Sequence, residues 1–133
     1  MMMVDSSVWI DFLRGVSTPQ MELLTVELDR QTVIIGDLIL AEVLQGIDDE
    51  REFRWTKTLM DDLPTLAIAG NVVSYRAVDH YRFLRKRGIT VRKTIDTLIA
   101  TRCILDGIPL LYSDRDFDPF VEHLGLQSAL ALS

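Results

Sequence analysis

Short apolar runs alternate along this chain with longer segments whose apolar residues recur every three or four positions. The first run, residues 1–4, is bounded by Asp5 and reads as a strand. Ser6 or Ser7 can cap a short helix over 8–14 that stops at Gly15. Pro19 opens a second helix with Met21, Leu24 and Leu28 on one stripe. Residues 33–36 read as a second strand, after which Asp37 caps a helix over 38–45 closed by Gly46. A polar helix over 49–62 follows, then a weaker strand at 65–69. Asn71 can cap a long amphipathic helix with Val73, Ala77, Tyr81 and Leu84 on one stripe, ending at Gly88. Thr94 can cap the next, which ends at Gly107. Residues 110–112 form a strand, 115–123 a short helix or turn, and 126–131 a last strand. Helices alternating with short apolar strands predict an α/β sandwich around a mostly parallel sheet.

The length of 133 residues fits one domain, 1–133, and 48% hydrophobic residues supply a core. No apolar run reaches the ~18 residues that a bilayer requires. No basic stretch precedes an apolar one at the N-terminus, so no signal peptide is expected. Cys103 is the only cysteine, which excludes an internal disulfide and a cysteine-based zinc site. A soluble cytoplasmic protein without a membrane partner is the expectation.

The net charge of −6 hides two local features. First, fourteen Asp outnumber six Glu, although Asp is the poorer helix former. Most of the excess is accounted for by caps and turns; the rest is available for metal ligation. Second, six of the fourteen basic residues fall between 82 and 93: Arg82, Arg85, Lys86, Arg87, Arg92 and Lys93. Such a ridge can contact phosphates even on an acidic chain. Its plainer reading is a solvated helix end whose cations complement the dipole.

The acids are placed more pointedly than their number shows. In an open parallel sheet, sites form outside the carboxyl ends of the strands. Asp5 follows the first strand, and Asp114 and Asp116 follow the strand at 110–112, so all three belong to one rim. Glu42 shares the apolar stripe of Leu38 and Ile39, and Asp96 shares that of Ile99, Ala100 and Cys103. A core-facing carboxylate is costly unless it is paired, hydrogen-bonded or metal-bound. Each acid has a plainer role open to it: an N-cap for Asp5, a first-turn acid for Asp96, an exposed edge or an arginine pair for Glu42. Four such acids converging by chance is a weaker explanation than a shared task.

Clustered carboxylates raise one another's pKa, and a divalent cation removes that conflict. Oxygen donors in a chain with one Cys and two His suit Mg²⁺ or Mn²⁺ rather than zinc. Such a centre, given water and a phosphodiester, supports in-line hydrolysis. Ser6, Ser7 and Ser113 are candidates to orient the carboxylates through their hydroxyls, with helix capping as their simpler role. His80 reads as a surface helix residue and His123 as structural. Trp9, Trp55, Tyr112 and Phe117 could stack bases, but core packing is the expectation for all four.

Four segments, "MVDSSVWIDFLRG", "LAEVLQGI", "IDTLIA" and "LLYSDRDF", together resemble the PIN domains of bacterial VapC toxins from type II toxin–antitoxin modules. They occur in the family's order over residues 3–117. The resemblance implies a three-layer sandwich whose sheet has four to five strands in the order 3-2-1-4-5. It implies a Mg²⁺- or Mn²⁺-dependent endoribonuclease, a homodimer, and a VapB-like antitoxin that occupies the active-site groove. The substrate would be transfer, ribosomal or messenger RNA. By position, Asp5, Glu42, Asp96 and Asp114 match the family's acidic quartet and Asp116 the last acid of the closing segment. Whether Asp114 or Asp116 is the closer ligand stays open. Ser113 replaces a frequent threonine and keeps its hydroxyl. Two other classes compete with the nuclease: a non-catalytic PIN-fold module that binds RNA or protein, and a phosphotransfer domain. The second wants paired acids after the first strand and a late lysine, and no lysine follows Lys93.

Overall fold

The computed structural model describes residues 1–133 as one α/β unit. Strand β1 (Met2–Val4) leads to α1 (Ser6–Leu13) and α2 (Pro19–Asp29). Then come β2 (Val33–Gly36), α3 (Asp37–Gln45), α4 (Glu50–Asp61), β3 (Thr65–Leu66) and α5 (Asn71–Lys86). The chain closes with α6 (Thr94–Asp106), β4 (Leu110–Leu111), a 3₁₀ turn (Arg115–Phe117), α7 (Asp118–Leu124) and α8 (Ala129–Leu132).

All strand pairs are parallel, in the order β3-β2-β1-β4. Met3 sits centrally, paired with Ile34 on one side and Leu110 on the other. Every residue of β1 and β2 is buried, as a sheet with helices on both faces demands. Trp9, Phe117 and Phe120 are the largest side chains sealed completely inside, with Met3, Ile35, Ile39 and Leu110 around them. Trp9 and Phe117 thus pack in the core as expected, and Tyr112 is half-buried with its ring tilted against Phe117.

Four strands, not five, make the sheet. The segment expected as a last strand makes one parallel bridge, Leu110 to Ser128, before α8 begins. Ser128 caps that helix by accepting from the Ala131 N–H. Leu126 and Ala129 are buried, so the apolar positions are used, but a turn and a short helix bring them in. Strands β3 and β4 are shorter than their apolar runs at 65–69 and 110–112.

Three side chains differ from expectation. On α5 the buried stripe runs through Val73, Ala77, His80 and Leu84, while Tyr81 is 39% exposed. His80 is therefore not a surface residue: it is buried, and its Nδ1 lies 2.9 Å from Thr101 Oγ1 on α6. That polar partner makes a buried imidazole affordable on an otherwise apolar face. Trp55 is 58% exposed, because α4 buries Thr56 and Met60 instead.

Several caps also shift by one residue. Asp5, rather than either serine, caps α1, while Gly70 and Lys93 take the cap positions of α5 and α6 without side-chain bonds. Asp37 is the first residue of α3, and its carboxylate accepts from the N–H groups of Leu38 and Ile68. That bond ties the start of α3 to the segment after β3. Gly36 permits the approach, since a Cβ there would lie 2.3 Å from Ile68 Cδ1.

Candidate functional site

The carboxyl rim of the sheet gathers the acids. Asp5 leaves β1 and enters α1, accepting from Ser7 N at 3.2 Å and from Ser7 Oγ at 2.7 Å. Only 4% of it is exposed. Burial pushes its pKa up; the Ser7 and Ser6 donors pull it down, and Asp114 adds a further push. The side chain that caps α1 is thus the same one that meets the charge of Asp114.

Helix α3 delivers Glu42 to the same place. Its Oε1 is buried without any hydrogen-bond partner. Its pKa rises through burial first and the charge of Asp5 second, against opposing contributions from Lys93 and the Ser6 side chain. Asp96, in the first turn of α6, is 4% exposed, and its Oδ2 also lacks a partner. Burial and then Asp5 raise its pKa to about 7, with Asp114 and Glu42 adding to the rise and Lys93 opposing it. Four acids far apart in sequence therefore feel one another's charge.

The end of β4 supplies the remaining two. Asp114 opens the 3₁₀ turn, and its Oδ1 accepts from Asp116 N at 2.9 Å. This tight turn points both carboxylates at Asp96: one oxygen from each of Asp96, Asp114 and Asp116 lies within 4.8 Å of the others. Asp5 and Glu42 stand outside this tightest trio and join it through charge. Both Asp114 and Asp116 thus bring an oxygen to Asp96, and Asp114 is the one whose charge adds to the rise of the Asp96 pKa.

The hydroxyls have distinct positions. Ser7 Oγ donates to Asp5 and accepts from Ser113 N at 3.4 Å, linking the ends of β1 and β4. Ser6 acts on Glu42, and Ser113 contributes its main chain.

The basic ridge divides in two. Arg85 donates to Thr90 Oγ1, and Arg87 donates to Phe83 O and stacks on the Phe83 ring. Both side chains stay close to their own helix end. Arg82 and Lys86 are exposed on α5. Arg92, by contrast, reaches Asp116 at 3.3 Å, and Lys93 acts on Glu42 and Asp96. Sequence had no means of separating these two cations from the other four.

Beside Glu42 lies a groove of about 420 Å³, lined among others by Ile10, Leu13, Val43 and Ile47, with Asp48, Asp49 and Glu52 at its edge. No local pattern in the chain marks this groove, because its walls come from α1, α3 and the start of α4 together.

Five carboxylates on one rim, two with orphaned oxygens, form a donor set of oxygen only. A cation would satisfy those oxygens and offset both the burial and the repulsion that lift Asp96, and oxygen donors fit a hard ion. The chain matches the PIN domain over residues 2–121. This chain belongs to the PIN domain family.

Relatives of this PIN domain span its whole length. Ribonuclease VapC11 of Mycobacterium tuberculosis is 29% identical over 133 residues, covering 97% of this chain and 98% of that protein. VapC ribonuclease Mb1587 of Mycobacterium bovis matches to the same extent. Among solved structures, VapBC2 from Rickettsia felis bound to a promoter DNA fragment superposes with a TM-score of 0.71 at 15% identity over 95% of each chain. DNA-bound VapBC from Salmonella typhimurium gives 0.71 at 17% identity, over 96% of this chain and 97% of that one. This chain shares its fold with both of these structures.

Proposed function

We propose that this PIN domain is a Mg²⁺- or Mn²⁺-dependent endoribonuclease, the toxin of a VapBC-type toxin–antitoxin module. The carrying observation is the convergence of Asp96, Asp114 and Asp116 within 4.8 Å, beside a buried Asp5 and a Glu42 with an orphaned oxygen. The names of the VapC relatives, at 29% identity over nearly the full chain, support ribonuclease chemistry.

Asp5 and Asp96 would hold the principal ion, with Glu42 and Asp114 completing the set, partly through water. Asp116 serves a second ion or orients a water. The chemistry supplied there when an ion is bound is activation of water and neutralisation of charge on the leaving oxygen. The chain's own residues do the positioning. Ser7 fixes the Asp5 carboxylate and takes the Ser113 N–H, Ser6 supports Glu42, and Lys93 moderates the field over Glu42 and Asp96. Arg82, Arg85, Lys86, Arg87, Arg92 and Lys93 face the phosphates of an RNA, which is transfer, ribosomal or messenger.

A VapB-like antitoxin would occupy the groove beside Glu42, whose apolar floor and acidic edge suit an amphipathic basic peptide. The VapBC complexes among the structural neighbours support such a partner. A homodimer is favoured by Val72, Tyr75, Val78 and Tyr81, which leave an apolar stripe exposed along α5. The setting is the cytoplasm.

Mapping RNA ends after expression of the wild type and of Asp5→Ala tests the reading. New 5′ ends that appear with the wild type alone, and vanish from the purified reaction on chelation, are expected. Equal cutting by Asp5→Ala overturns it. Failure of the wild type to bind Mg²⁺ or Mn²⁺ would leave the non-catalytic module.

A further inference from the structure

Of the six clustered basic residues, Arg92 alone places its guanidinium on the acidic trio. Its Nη2 lies 3.3 Å from Asp116 Oδ2 and 3.4 Å from Asp116 Oδ1, so one nitrogen covers both oxygens. The side chain is otherwise bare, 77% exposed, and no other hydrogen bond holds it. The backbone beneath it is anchored, because Val91 is buried in the core and Lys93 takes the cap position of α6. A fixed root and a free head make a side chain that can change partners without moving the fold.

The pair's geometry argues against a structural purpose. A long, three-centred contact on an exposed arginine contributes little to stability. Its position matters more: it occupies a carboxylate that shares the trio with Asp96 and Asp114. A cation entering beside Asp116 and the guanidinium of Arg92 compete for the same two oxygens. An RNA phosphate gives arginine a better partner, since guanidinium matches phosphate bidentately.

We propose that Arg92 is an electrostatic latch, seated on Asp116 in the free protein and transferred to an RNA phosphate on substrate binding, which releases Asp116 to a divalent ion. The inference rests on the nuclease reading above and adds a coupling to it. Polyanion and cation each tighten the other's binding by the same factor, because linkage is reciprocal. Arg92 is thus a positioning residue, acting through Asp116.

Mn²⁺ titration calorimetry on the full chain without RNA tests the latch. Arg92→Gln should bind Mn²⁺ roughly 2- to 5-fold more tightly than wild type, the range open to an exposed ion pair. Arg92→Lys should stay near wild type, and thermal stability should be unchanged in both. The same substitution in an Asp116→Asn background should have no effect on Mn²⁺ affinity, since the shared carboxylate is gone. Equal Mn²⁺ affinity of Arg92→Gln and wild type overturns the latch, as does an undiminished gain in the Asp116→Asn background, which would signal long-range charge alone. With RNA, Arg92→Gln should raise KM several-fold more than it lowers kcat. A wild type that binds Mn²⁺ but cuts no RNA would sink the nuclease reading, and the calorimetric comparison would still decide the fate of Arg92.

Discussion

His80 on α5 and Asp96 on α6 are both titratable and both buried, yet their surroundings differ. His80 meets Thr101 Oγ1 at 2.9 Å. Asp96 keeps an oxygen with no partner and faces four other acids along the rim. The first is a polar group made tolerable by the fold. The second is a strained group that the fold alone does not satisfy. Burial marks both; an unmet carboxylate oxygen among like charges is what sets Asp96 apart.

The largest expected effect lies at the unmet site. Asp96→Asn should cut metal-dependent cleavage by more than about 100-fold, beyond what losing an outer-shell partner costs. The same change should stabilise the metal-free protein, by roughly 1–3 kcal/mol above pH 7, because it removes a buried unpaired charge. A destabilised Asp96→Asn protein would break the comparison.

The pH dependence follows from the same carboxyl. Its folded pKa of about 7 lies above the ordinary value of 3.8. The folded state therefore holds a proton that the unfolded chain has lost. Its contribution to stability is present in full below about pH 4 and is lost as pH rises to about 7. Thermal melts in chelator should show this slope in the wild type and a weaker one in Asp96→Asn. His80 works in the opposite sense. Burial first, then Arg76, depress its pKa below 6.5. Its contribution is present above pH 6.5 and lost as pH falls through the lower folded value.

Thr101→Val removes the partner of His80 and should cost roughly 1–3 kcal/mol, read by denaturant unfolding. The smallest effect is expected at Thr97, whose buried hydroxyl has no partner. Thr97→Val should lie within about 1 kcal/mol of wild type. A loss there as large as at Thr101 would show that unmet hydroxyls in this helix are satisfied in solution.

Much of this was legible in the chain. Apolar runs ending in acids locate β1, β2 and β4, and the strand-end rule puts Asp5, Asp114 and Asp116 on one rim from sequence alone. Apolar spacing picked out Glu42 and Asp96 as misplaced carboxylates. Other features were not legible. Residues 126–131 carry apolar positions that serve a turn and a single helical turn as well as a strand. Tyr81 and His80 are adjacent on α5, and which one faces inward depends on Thr101, a residue on another helix. Trp55 has the composition of a core residue, but α4 turns Thr56 inward. The pairing of Arg92 with Asp116 joins positions 24 apart across two elements, and no local pattern encodes it.

The central strand also dictates when the pocket can exist. Met3 pairs with Leu110, and the acids that complete the trio come just after that pairing, at 114 and 116. A growing polypeptide emerging from the ribosome carries Asp5 and Glu42 early, but they remain scattered carboxylates until β4 has been made and has paired with β1. Contacts so distant in sequence form slowly. A nascent or truncated polypeptide lacking β4 would thus hold its acids apart and solvated, with no gathered pocket for a cation to enter.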